Sequence, residues 1–234
     1  MAPPLKRISI VVLLWILIMR LSSWYAYKHI MLAEMNNINP SRGFGPAMII
    51  QSLIVCFIAG LVMKTDGMRI SLAADKSRIL KNLWPVMLFS VGISMVSFCW
   101  IWLINASELE FTAANLLPGN HGVVWMNIMA ILLLAVIVPA VLEIVFHGVW
   151  YDVMVGQFGL YMAVIIIAII YSCIFSVFGY YLTFMVCMAS GAVRCRARSV
   201  LCGVIANVMI TSLLVGMVWM HAAGWLNALL YVHG

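Results

Sequence analysis

Two residues that can do chemistry inside a membrane, Glu143 and His147, stand four positions apart in the chain. They lie in the segment 139–148, which is otherwise apolar apart from Pro139 and Gly148. An ionisable side chain at membrane depth is costly and by default marks a functional site. On a helix, residues four apart share one face and can touch. The pair is therefore the first candidate for a functional site.

Three interpretations of this pair are open. In the first, which we favour, carboxylate and imidazole pair with each other and hold the end of an apolar segment, because a buried ion needs a partner. In the second, they are two ligands of a metal site completed by Cys202 or Asn207, since this spacing suits metal binding. In the third, they relay protons or belong to a transport path. Against the third, the chain lacks the repeated pair of Gly/Pro-broken spans that points to a transporter site.

The composition places these residues in a membrane protein. Apolar residues make up 66% of the chain and charged residues only 9%, which is far outside the range of a soluble domain. The apolar runs do not alternate in polarity and are about 18 to 24 residues long, as transmembrane helices require. We therefore predict an all-α, polytopic transmembrane bundle that forms a single integral membrane domain over residues 1–234. The N-terminus, with Lys6 and Arg7, is typical of a signal anchor rather than a cleaved signal peptide.

The six cysteines and the net charge of +6 do not indicate a function outside the membrane. No CxxC pair is present, so buried thiols are expected rather than disulfides or a metal cage. The basic residues are concentrated in two short connections, which favours contact with anionic lipid and excludes nucleic acid as an expected partner.

The hydropathy pattern predicts about seven spans. They cover roughly residues 8–27, 46–63, 83–104, 123–146, 160–178, 180–193 and 199–220. The positive-inside rule assigns the basic connections 64–81 and 194–198 to the cytoplasm together with the N-terminus. Glu108 and Glu110 then lie outside, and Glu143 and His147 near the cytoplasmic face. The aromatic tail after residue 220 is expected to be an interfacial segment at the outer face.

Residues 139–215 resemble the CPBP family, the intramembrane proteases that include type II CAAX prenyl endopeptidases and bacteriocin-processing or self-immunity proteins. The family pattern is EExxxRG at a helix end, an FG turn, FxxxH on the next helix and HxxxN on the last. The first block is matched by Leu142-Glu143-Ile144-Val145-Phe146-His147-Gly148, and the FG turn by Phe158 and Gly159. The resemblance implies a CPBP-like core over residues 123–220.

The residues that the family uses for catalysis are replaced in this chain. Leu142 takes the place of the first glutamate, which acts as the general base, and Glu143 that of the second. His147 replaces the arginine of that block. The FxxxH block falls on Tyr171 and Phe175, and the HxxxN block on Asn207 and Thr211.

A water-activating protease needs several convergent ligands and a base near the water. Leucine and phenylalanine supply neither, which is the pattern of a pseudoprotease. The resemblance therefore implies no catalytic residue and no cofactor. Zinc is expected only if the chain is instead an endopeptidase with rearranged ligands.

The expected function is that of a non-catalytic, CPBP-fold integral membrane protein that binds or regulates a membrane or secreted protein or peptide, in immunity or assembly. The resemblance implies a bacterial cytoplasmic membrane as its location. An intramembrane metal-dependent endopeptidase and a small membrane transporter component remain the alternatives. The order of the family blocks also predicts that the helices carrying Glu143, Phe175 and Asn207 converge on one pocket in the cytoplasmic half of the membrane.

Overall fold

The described part of the protein is entirely helical apart from short connections. The structure, a computed structural model, describes residues 3–35, 41–66, 72–104, 129, 131–174 and 180–222, in which seven helices and no strand occur. In chain order they are α1 (Pro3–Met35), α2 (Ser41–Asp66), α3 (Leu72–Ile104), α4 (Leu133–Phe158), α5 (Leu160–Ile174), α6 (Tyr180–Ala197) and α7 (Val200–Ala222). The predicted all-α class is confirmed.

Four of these helices are long and apolar enough to cross a membrane. The spanning segments are Lys6–Tyr25 in α1, Arg78–Trp100 in α3, Leu133–Phe158 in α4 and Val200–Met217 in α7. The apolar parts of α2 and α5, Ile49–Thr65 and Leu160–Ile174, are shorter. Length and composition therefore make this an integral membrane protein, whereas the seven-span topology stays a prediction.

Helix α4 is irregular, and its first irregular stretch lies just before a proline. Leu133–Ile137 is π-helical, and the Val138 N–H donates to the Leu133 carbonyl. Pro139, which follows, has no N–H to offer the Ala135 carbonyl one turn back. The Ser212 hydroxyl of α7 donates to that carbonyl at 3.2 Å. This is the type of repair by a neighbouring helix that lets proline occur inside membrane helices.

The core lies where α4 and α7 meet the other helices. Helix α7 packs against α3, α4 and α6, and α5 packs against α6 and α1. Trp15 of α1 stacks on Phe146 with ring centroids 6.0 Å apart, and Trp150 meets both rings edge-on. All three rings are fully buried or nearly so. The aromatic cluster fixes α4 against α1 beside the candidate pair.

Helix α4 extends past the predicted end of the fourth span. The prediction ended it at residue 146, but α4 continues to Phe158 and ends at Gly159, whose φ of 75° and ψ of 168° end the helix. The polar residues after position 146 end the apolar run, but they do not end the helix. The helix continues through His147 as a second π-helical stretch, Ile144–Trp150. His147 is therefore inside a helix rather than at its end. Asp152 also lies on α4, with its side chain exposed.

The sixth predicted segment is likewise longer than expected, since α6 continues past residue 193 to Ala197. Arg194 and Arg196 are therefore helical. Arg78 at the start of α3 donates from Nη1 to the Arg198 carbonyl at 2.8 Å, so two of the basic segments lie at one end of the bundle. Which side of the membrane this end faces remains a prediction. Glu108, Glu110, Phe175 and the tail from residue 223 lie outside the described residues.

Candidate functional site

Glu143 is the centre of a buried polar cluster. Its side chain is 0% exposed. Oε2 accepts hydrogen bonds from the Ser190 hydroxyl of α6 at 2.9 Å and from Nδ2 of Asn207 of α7 at 2.8 Å. Oε1 lies 2.7 Å from Nδ1 of His147, one turn along α4. The carboxylate thus joins three helices through contacts that a buried ion requires.

A second layer of side chains holds the donors in place. Nδ2 of Asn207 also donates to the Tyr171 hydroxyl oxygen of α5 at 3.3 Å, and the Thr211 hydroxyl donates to Oδ1 of Asn207 at 3.3 Å. The Ser190 hydroxyl also contacts the Cys187 carbonyl at 3.0 Å. We call the whole group the Glu143 cluster: Glu143, His147, Tyr171, Ser190, Asn207 and Thr211. Since it includes side chains from α4, α5, α6 and α7, it ties four helices together.

His147 is held less completely than Glu143. Its imidazole is 0% exposed and its ring centroid lies 5.9 Å from that of Tyr151. The Nδ1–Oε1 contact is close, but the N–H direction does not meet hydrogen-bond geometry. Within the described residues Nε2 has no hydrogen-bond partner. The imidazole is therefore fixed by its contact with the carboxylate and by packing rather than by a full set of hydrogen bonds.

Two glycines allow the helices to come this close. A Cβ added to Gly203 of α7 would lie 2.7 Å from Oε1 of Glu143 and 3.3 Å from Cβ of Arg194. A Cβ added to Gly191 of α6 would lie 2.9 Å from Nε2 of His147. Real Cβ atoms essentially never come so near to another heavy atom. Both positions therefore require glycine while the cluster keeps its present geometry.

Four of the predicted site residues come together in this cluster: Glu143, His147, Asn207 and Thr211. Leu142 is fully buried in the apolar core. Helices α4, α5 and α7, on or next to which the three predicted blocks lie, do meet here, and α5 contributes Tyr171, the first residue of the block that ends at Phe175. Phe175 itself is outside the described residues, so the full convergence remains a prediction.

The metal-site interpretation finds no third ligand among the described residues. Cys202 is buried in a separate apolar group with Val86, Val193 and Ala206. Asn207 contacts the carboxylate rather than the imidazole. Over the described ranges no three His, Cys, Asp or Glu side chains gather closely enough to hold an ion. The expectation that zinc is absent stays a prediction, because only a measurement on the protein can test it.

Sequence reasoning did not identify Ser190 and Gly203 as site residues. The signal was present but faint, since Gly203 stands four residues before Asn207 and so shares its helix face. Ser190 sits in the small-residue run Ala189-Ser190-Gly191-Ala192, which is typical of close helix packing in membranes. Neither residue can be recognised as part of the site until the helix that packs against it is known.

The fold and the cluster define an all-helical integral membrane protein with a buried carboxyl–imidazole pair. Comparison of the chain with protein-family models, curated proteins and solved structures finds no match. Function therefore has to be argued from the cluster itself.

Proposed function

We propose that this chain is a non-catalytic, CPBP-like integral membrane protein that acts by binding or regulating a membrane or secreted partner protein. On this proposal the Glu143 cluster is a structural clamp that shapes the bundle, and the partner binds elsewhere on the molecule. From the resemblance to the family we also propose a role in immunity or assembly. On the same basis we propose a bacterial cytoplasmic membrane as the location.

The observation that carries the proposal is the engagement of the Glu143 carboxylate. A general base must have a lone pair within hydrogen-bond reach of the water it deprotonates. Here Oε2 already accepts two hydrogen bonds, and Oε1 faces the imidazole at 2.7 Å. The side chain has no exposed surface. These contacts support a carboxylate that holds helices together rather than one that activates water.

The close approach of α6 and α7 also supports a closed cluster. Gly191 and Gly203 bring their backbones so near to His147 and Glu143 that even a methyl group would not fit. A peptide substrate would need that space for its scissile bond. Interactions at such small-residue contacts are the usual means by which membrane helices associate.

The partner is best tested by comparing two forms of the chain. The native protein and a Glu143→Gln variant are purified in mild detergent from host membranes, and the masses of the co-purifying proteins are measured. A binding role predicts the same partner at the same mass with both forms, because glutamine keeps the cluster filled. A matched Asp152→Asn variant, which makes the same carboxyl-to-amide change at an exposed site of α4, controls for charge.

The endopeptidase alternative predicts a different result. A protease would yield a shortened partner with the native chain and an intact partner with Glu143→Gln. That outcome would refute the non-catalytic proposal and assign Glu143 a role in the chemistry.

A further inference from the structure

A cavity of about 400 Å³ opens at the end of the bundle where α4 and α6 finish and α5 and α7 begin. We call it the basic pocket and define it by six of its lining residues: Tyr151, Leu160, Arg194, Arg198, Ser199 and Val200. It is distinct from the Glu143 cluster, with which it shares no residue. None of the described residues that line it is acidic.

Arg194 brings a largely uncompensated positive charge to the pocket. Its guanidinium lies 3.5 Å from the centre of the Tyr151 ring, a cation–π contact that fixes its position. Its Nε is buried and has no hydrogen-bond partner among the described residues. The nearest carboxylate, Asp152, is 3.7 Å away and 86% exposed, so solvent weakens that pair. An anion in the pocket can therefore compete with Asp152 for the Arg194 guanidinium.

Arg198 lies at the rim of the same pocket in an unusual conformation. Its φ of 51° is the left-handed region, which residues other than glycine adopt infrequently. The carbonyl of this turn accepts a hydrogen bond from the Arg78 guanidinium at 2.8 Å. The turn thus exposes one arginine side chain at the pocket and holds a second guanidinium next to its backbone.

The N-terminus of α7 also lies at the pocket. Val200, the first residue of this 23-residue helix, lines the pocket, and Ser199 accepts the Cys202 N–H at 3.3 Å. The first N–H groups of a helix have no intrahelical acceptor, and the helix dipole makes this end positive. Together with arginine, a helix N-terminus is a suitable site for phosphate.

We propose that the basic pocket binds a phosphate group, either that of an anionic phospholipid or that of a free phosphate. Arginine donors, the N-terminus of α7 and the absence of a carboxylate among the described lining residues all fit phosphate oxygens. The surroundings favour the lipid. Leu160, Tyr161 and Met162 at the start of α5 are 43%, 82% and 52% exposed, and they offer an apolar surface for acyl chains next to the bound headgroup.

The test measures binding to the purified full-length protein in neutral detergent by titration calorimetry. The probes are dioctanoylphosphatidylglycerol, dioctanoylglycerol, which lacks phosphate, and inorganic phosphate. Arg198→Gln and Arg194→Gln remove a pocket charge each. Arg196→Gln removes the same charge from the last helical turn of α6, at an exposed residue outside the pocket lining. Circular dichroism and size-exclusion profiles establish that each variant is folded, and Arg198→Gln keeps the test valid if Arg194→Gln is not.

The proposal predicts that phosphatidylglycerol binds the native chain and Arg196→Gln equally, and binds Arg198→Gln about fivefold more weakly, the factor expected for one arginine at an anionic surface. Dioctanoylglycerol should not bind. Displacement of the lipid by inorganic phosphate would show that phosphate alone is recognised, whereas failure to displace it would assign the site to the lipid headgroup. Equal weakening by Arg196→Gln and Arg198→Gln, or no weakening by either, would overturn the proposal, since attraction would then be diffuse or elsewhere.

Discussion

Removing the Glu143 carboxylate should destabilise the protein far more when alanine replaces it than when glutamine does. Glu143→Gln has the same shape. Its amide oxygen can accept the donors of Ser190 and Asn207 that now reach Oε2, and its amide nitrogen can donate to Nδ1 of His147, which now faces Oε1. Every contact keeps a partner, so we expect a loss of about 1 kcal/mol as the charge is removed from these hydrogen bonds.

Glu143→Ala has a larger cost that follows from the contacts it removes. Two interhelical hydrogen bonds disappear, those from Ser190 and Asn207, and hydrogen bonds between membrane helices are worth about 0.6 kcal/mol each on average. Ser190 keeps its contact with the Cys187 carbonyl and Asn207 keeps Tyr171. The imidazole loses its remaining partner, which adds about 1 to 3 kcal/mol for a buried polar group. A total loss of about 2 to 4 kcal/mol is expected.

The assay is reversible unfolding of the purified variants in mixed micelles, with accumulation in membranes measured in parallel. Asp152→Asn and Asp152→Ala are the matched controls, because this carboxylate is exposed and its loss should change the free energy of unfolding by no more than about 0.5 kcal/mol. Combining Glu143→Ala with His147→Ala should cost less than the sum of the two single changes, because it leaves no unpaired partner. Equal losses for Glu143→Gln and Glu143→Ala would refute the structural clamp.

Three further outcomes are expected. Gly203→Ala should lower the free energy of unfolding by about 1 to 3 kcal/mol, because its Cβ would meet the Glu143 carboxylate. Gly216→Ala on the same helix has open space around it and should be neutral or slightly stabilising. Equal effects of the two substitutions would contradict the close packing at Gly203. Ser212→Ala should cost about 1 kcal/mol in thermal or denaturant unfolding, since the Ala135 carbonyl loses its donor, and an unchanged stability would show that this bond is dispensable. Protein purified without added metal should hold no stoichiometric zinc by elemental analysis, and zinc at one ion per chain would revive the endopeptidase alternative.

Much of the helical architecture could be predicted from the sequence, because an apolar chain inside a membrane must form its backbone hydrogen bonds within helices. The helix ends could not be placed equally well. Hydropathy reports where side chains tolerate lipid, and it changes at His147 although the backbone of α4 continues to Phe158. The limit of an apolar run and the end of a helix are therefore separate quantities.

The candidate site could be predicted only in part, for a related reason. The spacing of Glu143 and His147 indicated a pair within one helix, because this contact is local. Ser190 and Asn207 reach the carboxylate from 47 and 64 positions further along the chain, and no local pattern identifies such partners. The requirement for glycine at 203 depends on the same tertiary contact.

The most direct test of the structural role of Glu143 is replacement of the native gene by the Glu143→Gln form in the host cell, with membrane level and biological activity measured together. The Asp152→Asn form serves as the reference for a carboxyl-to-amide change. A structural clamp predicts a near-normal level and a retained function, because the amide fills the cluster as the carboxylate does. A normal membrane level with complete loss of function would contradict this account and would make Glu143 a participant in chemistry.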